Sequence, residues 1–213
     1  MAKTQSFRHE FNGTVLPALW SEFLAGSATM TYSATGAKVV LPASTTAATD
    51  GDITSTGSFS LIDSYISMEV TEVPVAGAVS TDANMTLRIT AANLVMWQYE
   101  GGNLIALQVV ASAQTNHFSV AFDPVLHRWW KIKEKNGSTL WQTSPDGMSW
   151  TTHHTQANPI TMTALFFNLG AICFGVDTDP GNFEFRNLNC PPAEKVLNNS
   201  GIRPYPFAPG LAR

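Results

Sequence analysis

The sequence predicts an all-β chain, folded as a two-sheet antiparallel jelly-roll sandwich with an extended proline-rich tail. Apolar residues recur at every second position in many short runs, paired glycine and asparagine turns separate several of those runs, and no stretch offers a helical period. Period-two alternation marks a strand with one face buried. Many short strands with closely spaced reversals make a sandwich or a barrel.

In chain order, residues 43–52 are rich in Thr and Ala and read as a surface loop. Ile66, Met68 and Val70 then alternate with Ser67, Glu69 and Thr71, and residues 74–83 read as a second loop. Met85, Leu87 and Ile89 alternate with Thr86, Arg88 and Thr90. Gly101-Gly102 separates runs 93–100 and 103–111, and Asn136-Gly137 separates 128–135 from 138–143. Gly and Asn accept the positive φ that primed hairpin turns demand. Residues 104–111 are apolar on both faces, the pattern of a covered central strand, and Phe118, Val120 and Phe122 share one side of the next. Pro145-Asp146-Gly147 makes a tight reversal before a strand over 148–153. Phe183 and Phe185 alternate with Glu184 and Arg186 near the end.

These runs form one domain over residues 1–190. Residues 191–213 differ, with Pro191, Pro192, Pro204, Pro206 and Pro209 interleaved with Tyr205 and Phe207. Proline at that density cannot feed a sheet ladder and favours extended chain. The expectation is an arm whose Tyr205 and Phe207 dock on the domain or on a neighbouring subunit; a loose terminus is the alternative.

Composition narrows the function. Hydrophobic residues make up 44% of the chain, enough for a large core, while only 13% are charged, against about 25% in an ordinary globular protein. The polar surface is therefore built from Ser, Thr, Asn and Gln, which suits contact with neighbours in an assembly or with neutral ligands. A net charge of −4 without any run of Lys or Arg lacks the basic footprint that duplex nucleic acid requires. Residues 1–10 hold no secretory signal. The longest apolar run, 160–176, is broken by Thr161, Thr163, Asn168 and Gly170 and is short of the roughly 20 residues of a bilayer span. Neither nucleic acid nor membrane is an expected partner. Cys173 lies in an apolar run as a small buried hydrophobe and Cys190 follows the last strand; two cysteines make no disulfide framework.

No nucleophile elbow, zinc helix, phosphate-binding loop or dinucleotide fingerprint occurs, so no catalytic residue is assigned. Jelly-roll glycosidases need two carboxylates converging on one face. Glu69 and Glu72, at odd spacing, fall on opposite faces of a strand unless a bulge intervenes, and Glu69 is expected as a lone surface carboxylate. His153-His154 should point apart and make a poor chelate. Asp177 and Asp179 sit in an Asp-Thr-Asp-Pro-Gly turn that is a weak calcium candidate, without the later bidentate Glu of an EF-hand; no cofactor is otherwise expected. Aromatic residues are the most suggestive feature. Trp97 and Tyr99 share one face; Trp129, His127, Lys131 and Lys133 share another, opposite Trp130 and Ile132; Trp141 and Trp150 follow. Exposed indoles could stack on the C–H faces of sugars, and core packing is the competing reading. Trp97, Tyr99, Trp129, Lys131 and Trp141 are the candidate glycan face, with Trp129 the best candidate for exposure.

The segment Asp123-Pro124-Val125-Leu126-His127-Arg128-Trp129-Trp130-Lys131-Ile132-Lys133-Glu134, followed by Asn136-Gly137-Ser138, Trp141-Gln142-Thr143-Ser144-Pro145-Asp146-Gly147 and Trp150-Thr151, resembles concanavalin A-like (LamG-like) jelly-roll domains of actinobacterial phage and prophage tail proteins. The resemblance is specific over residues 123–151 and looser over 5–190; the tail lies outside it. Leu19-Trp20, and a first strand over 7–11 ending at Asn12-Gly13 and paired with a closing strand over 182–189, fit the same pattern. The resemblance implies a non-enzymatic virion component, a minor tail or baseplate protein made in the host cytoplasm. It would assemble with other tail proteins as a homo-oligomer and present a face to host cell-wall glycan. The family supplies no catalytic residues to carry over. The segment from Ser144 to Trp150 also resembles the Asp-box turn, one residue short, and reads as a structural hairpin with Asp146 capping the turn. Two alternatives stand beside this reading. A stand-alone carbohydrate-binding module predicts an export route, and a glycoside hydrolase needs the converging reactive pair.

Overall fold

The computed structural model describes residues 1–43, 48–75, 81–190 and 192. Among them fourteen strands make two seven-stranded antiparallel sheets. The first runs in the order β1 (Trp20–Ala25), β4 (Thr49–Ser55), β13 (Phe166–Cys173), β6 (Thr81–Thr90), β7 (Asn93–Glu100), β8 (Asn103–Val110), β9 (Ala113–Ala121). The second runs β12 (Thr151–Ala157), β11 (Ser138–Ser144), β10 (Trp129–Lys135), β5 (Tyr65–Glu72), β14 (Asn182–Arg186), β3 (Gly36–Val40), β2 (Thr29–Ser33). A single 3-10 turn, Thr4–Ser6, precedes the first strand, and among the described residues no helix is long and apolar enough to cross a membrane.

Alternation decides which side chains meet between the sheets. Ile53, Leu169, Met85, Trp97 and Ala106 lie side by side in register across β4, β13, β6, β7 and β8, and all five are fully buried. Ile66, Met68 and Val70 of β5, Trp130 and Ile132 of β10, and Phe183 and Phe185 of β14 face them from the second sheet. Two indoles tie the layers together. Trp97 Nε1 donates to the Lys131 carbonyl and Trp141 Nε1 to the Met96 carbonyl, each at 3.0 Å, so each sheet sends one N–H into the backbone of the other. A buried indole that finds its acceptor adds its apolar area without an orphaned donor.

The turns follow the expected chemistry. Gly101 and Gly102 have φ of 55° and 84°, and Asn136 and Gly137 have 54° and 78°. Asp146 caps its turn by accepting from the backbone N–H groups of Met148 and Ser149, both at 2.8 Å. The strand after it starts at Thr151 and not at 148, because the cap bonds hold 148–149 in the turn.

Other segments depart from expectation. Strand β4 begins at Thr49, inside the stretch read as loop, and β6 begins at Thr81; residues 44–47 and 76–80 are outside the described set. Both strands start with short polar residues that mimic loop composition. Residues 7–11 form no regular strand; they meet the closing segment through an isolated bridge, His9 to Leu188, a hydrogen bond from the Asn187 N–H to the Glu10 carbonyl and the edge-to-face rings of Phe11 and Phe185. The seam is also held by Asn189, fully buried, whose Nδ2 donates to the carbonyls of Thr4 and Phe7 at 2.8 Å while its Oδ1 accepts from the Ser67 N–H. Ile89 is exposed, because a register shift between Arg88 and Thr90 ends the alternation. Both cysteines are buried. Tyr205, Phe207 and the rest of the proline-rich arm lie outside the described residues, except for Pro192.

Candidate functional site

The aromatic side chains singled out by sequence do not form one face. Trp97, Tyr99 and Trp141 point between the sheets and are at most 2% exposed. Trp129 and Lys131 do lie on the outer side of the second sheet, opposite Trp130 and Ile132, yet Trp129 is also 2% exposed. The 145–150 turn folds over it: a Cβ added at Gly147 would lie 2.9 Å from Trp129 Cε2. Lys131 reaches across that face between two rings, its Nζ 3.3 Å from the Trp150 centroid and 5.1 Å from that of Tyr65. A glycan stacked on Trp129 has no room.

The other outer face offers a site. Along β4, β13, β6 and β7 the outward positions fall into register as rows. One row is Phe23, Asp52, Gly170, Asn84, Gln98 and Ile105; a second is Ser21, Thr54, Asn168, Thr86, Met96 and Leu107; a third joins Asp50, Ile172, Asp82 and Glu100. No second layer of strands covers this face among the described residues. Even so, Thr86, Gln98 and Asn168 are buried at 4%, 8% and 7% exposure and Leu107 is wholly buried. Burial at the middle of an uncovered face means that the adjoining side chains stand higher than those of the middle, which makes it a shallow hollow. Gly170 sits at the centre of the hollow, where a Cβ would approach the Asp52 Cβ to 2.5 Å. Its bare backbone leaves a floor between Asp52 and Asn84.

The hollow has two halves. On β4, β13 and β6 it is polar: Asn168 Nδ2 and an Arg88 guanidinium N–H both donate to Thr54 Oγ1, at 3.0 and 3.2 Å, and the Thr54 hydroxyl donates to Asp52 Oδ1 at 3.2 Å. Thr86 Oγ1 donates to Asn84 Oδ1 at 3.0 Å, and Gln98 Nε2 donates to Asp82. On β7 and β8 it is apolar, with Leu94, Ile105 and Leu107 packed beside Met96 and Val109. Burial pushes the Asp50 carboxyl up to about 6, with the Asp52 charge adding to it. Burial and the Glu100 charge take Asp82 to about 6 as well, against the pull of Gln98. Asp52 is raised by burial and drawn back by Thr54, Arg88 and Asn168. These carboxyls were missed because residues 43–52 and 74–83 were read as loop. The signal was the i, i+2 spacing of Asp50, Asp52 and Thr54, and of Asp82, Asn84, Thr86 and Arg88.

Three expectations of the carboxylate and histidine search change. Glu69 is buried at 4% exposure, not a lone surface group. Arg128 reaches Oε1 at 2.7 Å, Arg186 reaches Oε2 at 2.9 Å and Asn187 donates to Oε2 at 2.6 Å. Burial alone would raise this carboxyl; those bonds outweigh it and hold it below the usual range. The register shift between Glu184 and Phe185 is the bulge that alternation lacked. Glu72 pairs with Lys38 and Asn182, so the two glutamates are committed to separate partners. His153 and His154 do not point apart. A bulge opposite Trp141 and Gln142 turns both inward. At the calcium candidate, Asp177 Oδ1 accepts from the Asp179 N–H at 2.9 Å, an Asx turn, and no cluster of three or more metal-ligating groups occurs among the described residues.

No protein-family model and no curated protein matches this sequence. Solved structures match in fold. Laminarinase from Flavobacterium sp. UMI-01 superposes with a TM-score of 0.63 at 11% identity, over 85% of this chain and 97% of its own. The CBM2 module of the evolved Dit of Lactobacillus casei BL23 phage J-1 gives 0.58 at 9% identity, over 86% and 95%. The carbohydrate-binding module CBM66 from Bacillus subtilis gives 0.50 at 11%, over 80% and 93%. Likeness at such identities speaks for architecture, and with the two seven-stranded antiparallel sheets it establishes that the chain has the concanavalin A-like jelly-roll fold.

Proposed function

We propose that the concave outer face of the first sheet binds a neutral glycan, and that the chain does so as a non-enzymatic component of a phage tail. The observation that carries the binding half is the row Asp52, Gly170, Asn84 and Gln98 lying against the apolar shelf of Ile105 and Leu107. Saccharides carry hydroxyls around an apolar ring edge, so a site for them needs fixed donors and acceptors beside hydrocarbon, in a hollow with backbone access. Asn and Gln supply both donor and acceptor, and Gly170 supplies the access. The fold likeness to carbohydrate-binding modules, one of them from a phage Dit, supports the reading. The resemblance of residues 123–151 to tail-protein domains supports the virion half. Other tail proteins and further copies of this chain are then its structural partners, and host cell-wall glycan its ligand.

The test is binding to arabinogalactan and to purified actinobacterial cell wall. Asn84→Ala and Gln98→Ala should weaken it at least about tenfold each, as loss of a positioned hydrogen bond does, while Lys133→Ala on the opposite outer face leaves it unchanged. Equal affinity in all three variants, or no binding to any glycan offered, sinks the binding half. Absence of the chain from purified particles, by mass spectrometry, sinks the virion half. One observation favours a hydrolase instead: Asp50 and Asp52 share one face of β4 and both carboxyls are raised, and glycosidases use such carboxyl pairs. Release of reducing sugar, lost in Asp50→Asn, would replace the non-enzymatic reading.

A further inference from the structure

Four of the five histidines, His117, His127, His153 and His154, gather at one edge of the sandwich, where β12 of the second sheet lies over β9 of the first. Strand β12 pairs with β11 alone. Its inward side chains are His153, His154 and Gln156, brought into line by the bulge. His154 stacks on His117 of β9 with centroids 4.6 Å apart and ring planes 9° apart. His153 packs on Phe118 at 4.7 Å and stands 5.8 Å from His127. Gln156 donates to Gln108 of β8. No large aliphatic side chain of β12 enters the seam, so imidazoles and a glutamine do the closing that Leu or Val does elsewhere.

The hydrogen bonding suits neutral rings. His127 Nδ1 accepts the Asp123 N–H at 3.0 Å, and His153 Nε2 shares a hydrogen bond with Thr143 Oγ1 at 2.7 Å. Nε2 of both His117 and His154 is buried without a partner. A proton added to either stacked ring would have no acceptor at that nitrogen and would face the other ring's charge. No carboxylate balances it: β8, β9, β11 and β12 carry no Asp, Glu, Lys or Arg, β7 presents Trp97, and Asp123 is the acidic residue that acts on His127. A cleft of about 370 Å³ lined by His127, His153, Thr143 and Trp150 opens at one end of the seam.

We propose that this seam is a proton-operated latch: charging the His117–His154 and His127–His153 pairs drives β12 and the 145–150 turn off the edge of β9, while the middle of the sandwich stays closed. Direction follows from linkage. Burial lowers His117, His127 and His153 from the ordinary 6.5; His154 lowers His117 further, His127 lowers His153 further, and Asp123 draws His127 back up. Groups lowered in the closed state leave closure at full strength above 6.5 and weaken it as the pH falls past that value.

Hydrogen exchange of the full chain at pH 7.5, 6.5 and 5.0, corrected for the intrinsic rate, tests the latch. Amides of β11 and β12 should lose protection as the pH falls, by about tenfold per pH unit for each proton taken up, with β6 and β13 unchanged. The double variant His117→Asn/His154→Gln, which keeps size and polarity without the charge, should lose most of that dependence. Constant protection of β12 overturns the proposal, as does equal loss in the variant or loss shared with β6 and β13. If the variant fails to fold, the imidazole titrations of wild-type protein by NMR decide: His117, His127 and His153 all titrating at 6.5 rejects the latch. None of these outcomes bears on glycan binding at the other face.

Discussion

Trp129 shows how a single side chain can be placed on the correct side of a sheet and still be misjudged. Alternation puts it outward with Lys131, and the structure agrees. Its burial comes from the turn at Gly147, which lies against the indole, and period-two patterning carries no record of what folds over a face. Trp97 and Trp141 were read as part of a glycan face and lie between the sheets instead; their indole bonds to opposite sheets depend on inter-sheet register, which is a tertiary quantity. Thr86, an ordinary exposed residue by pattern, lies at the middle of the hollow at 4% exposure. Trp129→Ala should therefore cost stability, about 3–5 kcal/mol as for other buried aromatic truncations. A urea midpoint measures that cost, and glycan affinity per folded molecule should be unchanged. A normal midpoint with lost binding would return Trp129 to the ligand.

At the level of strands, the hairpins were readable and the irregularities were not. Gly101-Gly102 and Asn136-Gly137 declare themselves because a positive φ selects few residue types. The bulges at His153 and beside Glu72 leave no such mark, and each reverses which way a side chain points. Strand β4 and the start of β6 were hidden because Asp, Thr and Asn at their outward positions resemble loop, and those same residues line the hollow. Most of the fold could therefore be read in advance, but the candidate site could not: the polar residues of its outward rows masked the strand signal. Strand β13 carries the sharpest test. Gly170→Ala should bring the new methyl to 2.5 Å from the Asp52 Cβ and 2.6 Å from the Gly51 carbonyl. Overpacking of that kind costs about 1–3 kcal/mol, and the filled floor should abolish glycan binding at concentrations where the variant remains folded. Unaltered stability and affinity together would mean that the floor is not tightly built.

Across the whole molecule, two sets of groups pull stability in opposite directions with pH. Asp50 and Asp82 are raised to about 6, so the folded state holds protons that the unfolded chain releases from about 4 upward. Their contribution is complete below that range and is lost as the pH rises through 6. The seam histidines, lowered in the fold, act the other way and weaken it below 6.5. Below about 6 the two effects oppose one another, so the wild-type profile should be shallow there. Asp50→Asn/Asp82→Asn should raise the urea midpoint at pH 7.5 and lay bare the histidine-driven loss as the pH falls below 6.5. A profile in which the double variant tracks wild type from pH 5 to 7.5 would show that these carboxyls titrate as free ones.

Asn189 has a topological consequence. Because one amide grips the backbone at Thr4, Phe7 and Ser67, the polypeptide enters and leaves this sandwich at a common point. Such a body can be grafted into a surface bend of an unrelated protein as an inserted cassette, with short flanking spacers and little deformation of either party. Closing the ring between residues 4 and 189 and cutting it at Gly101-Gly102 should give a rearranged chain with the same hollow.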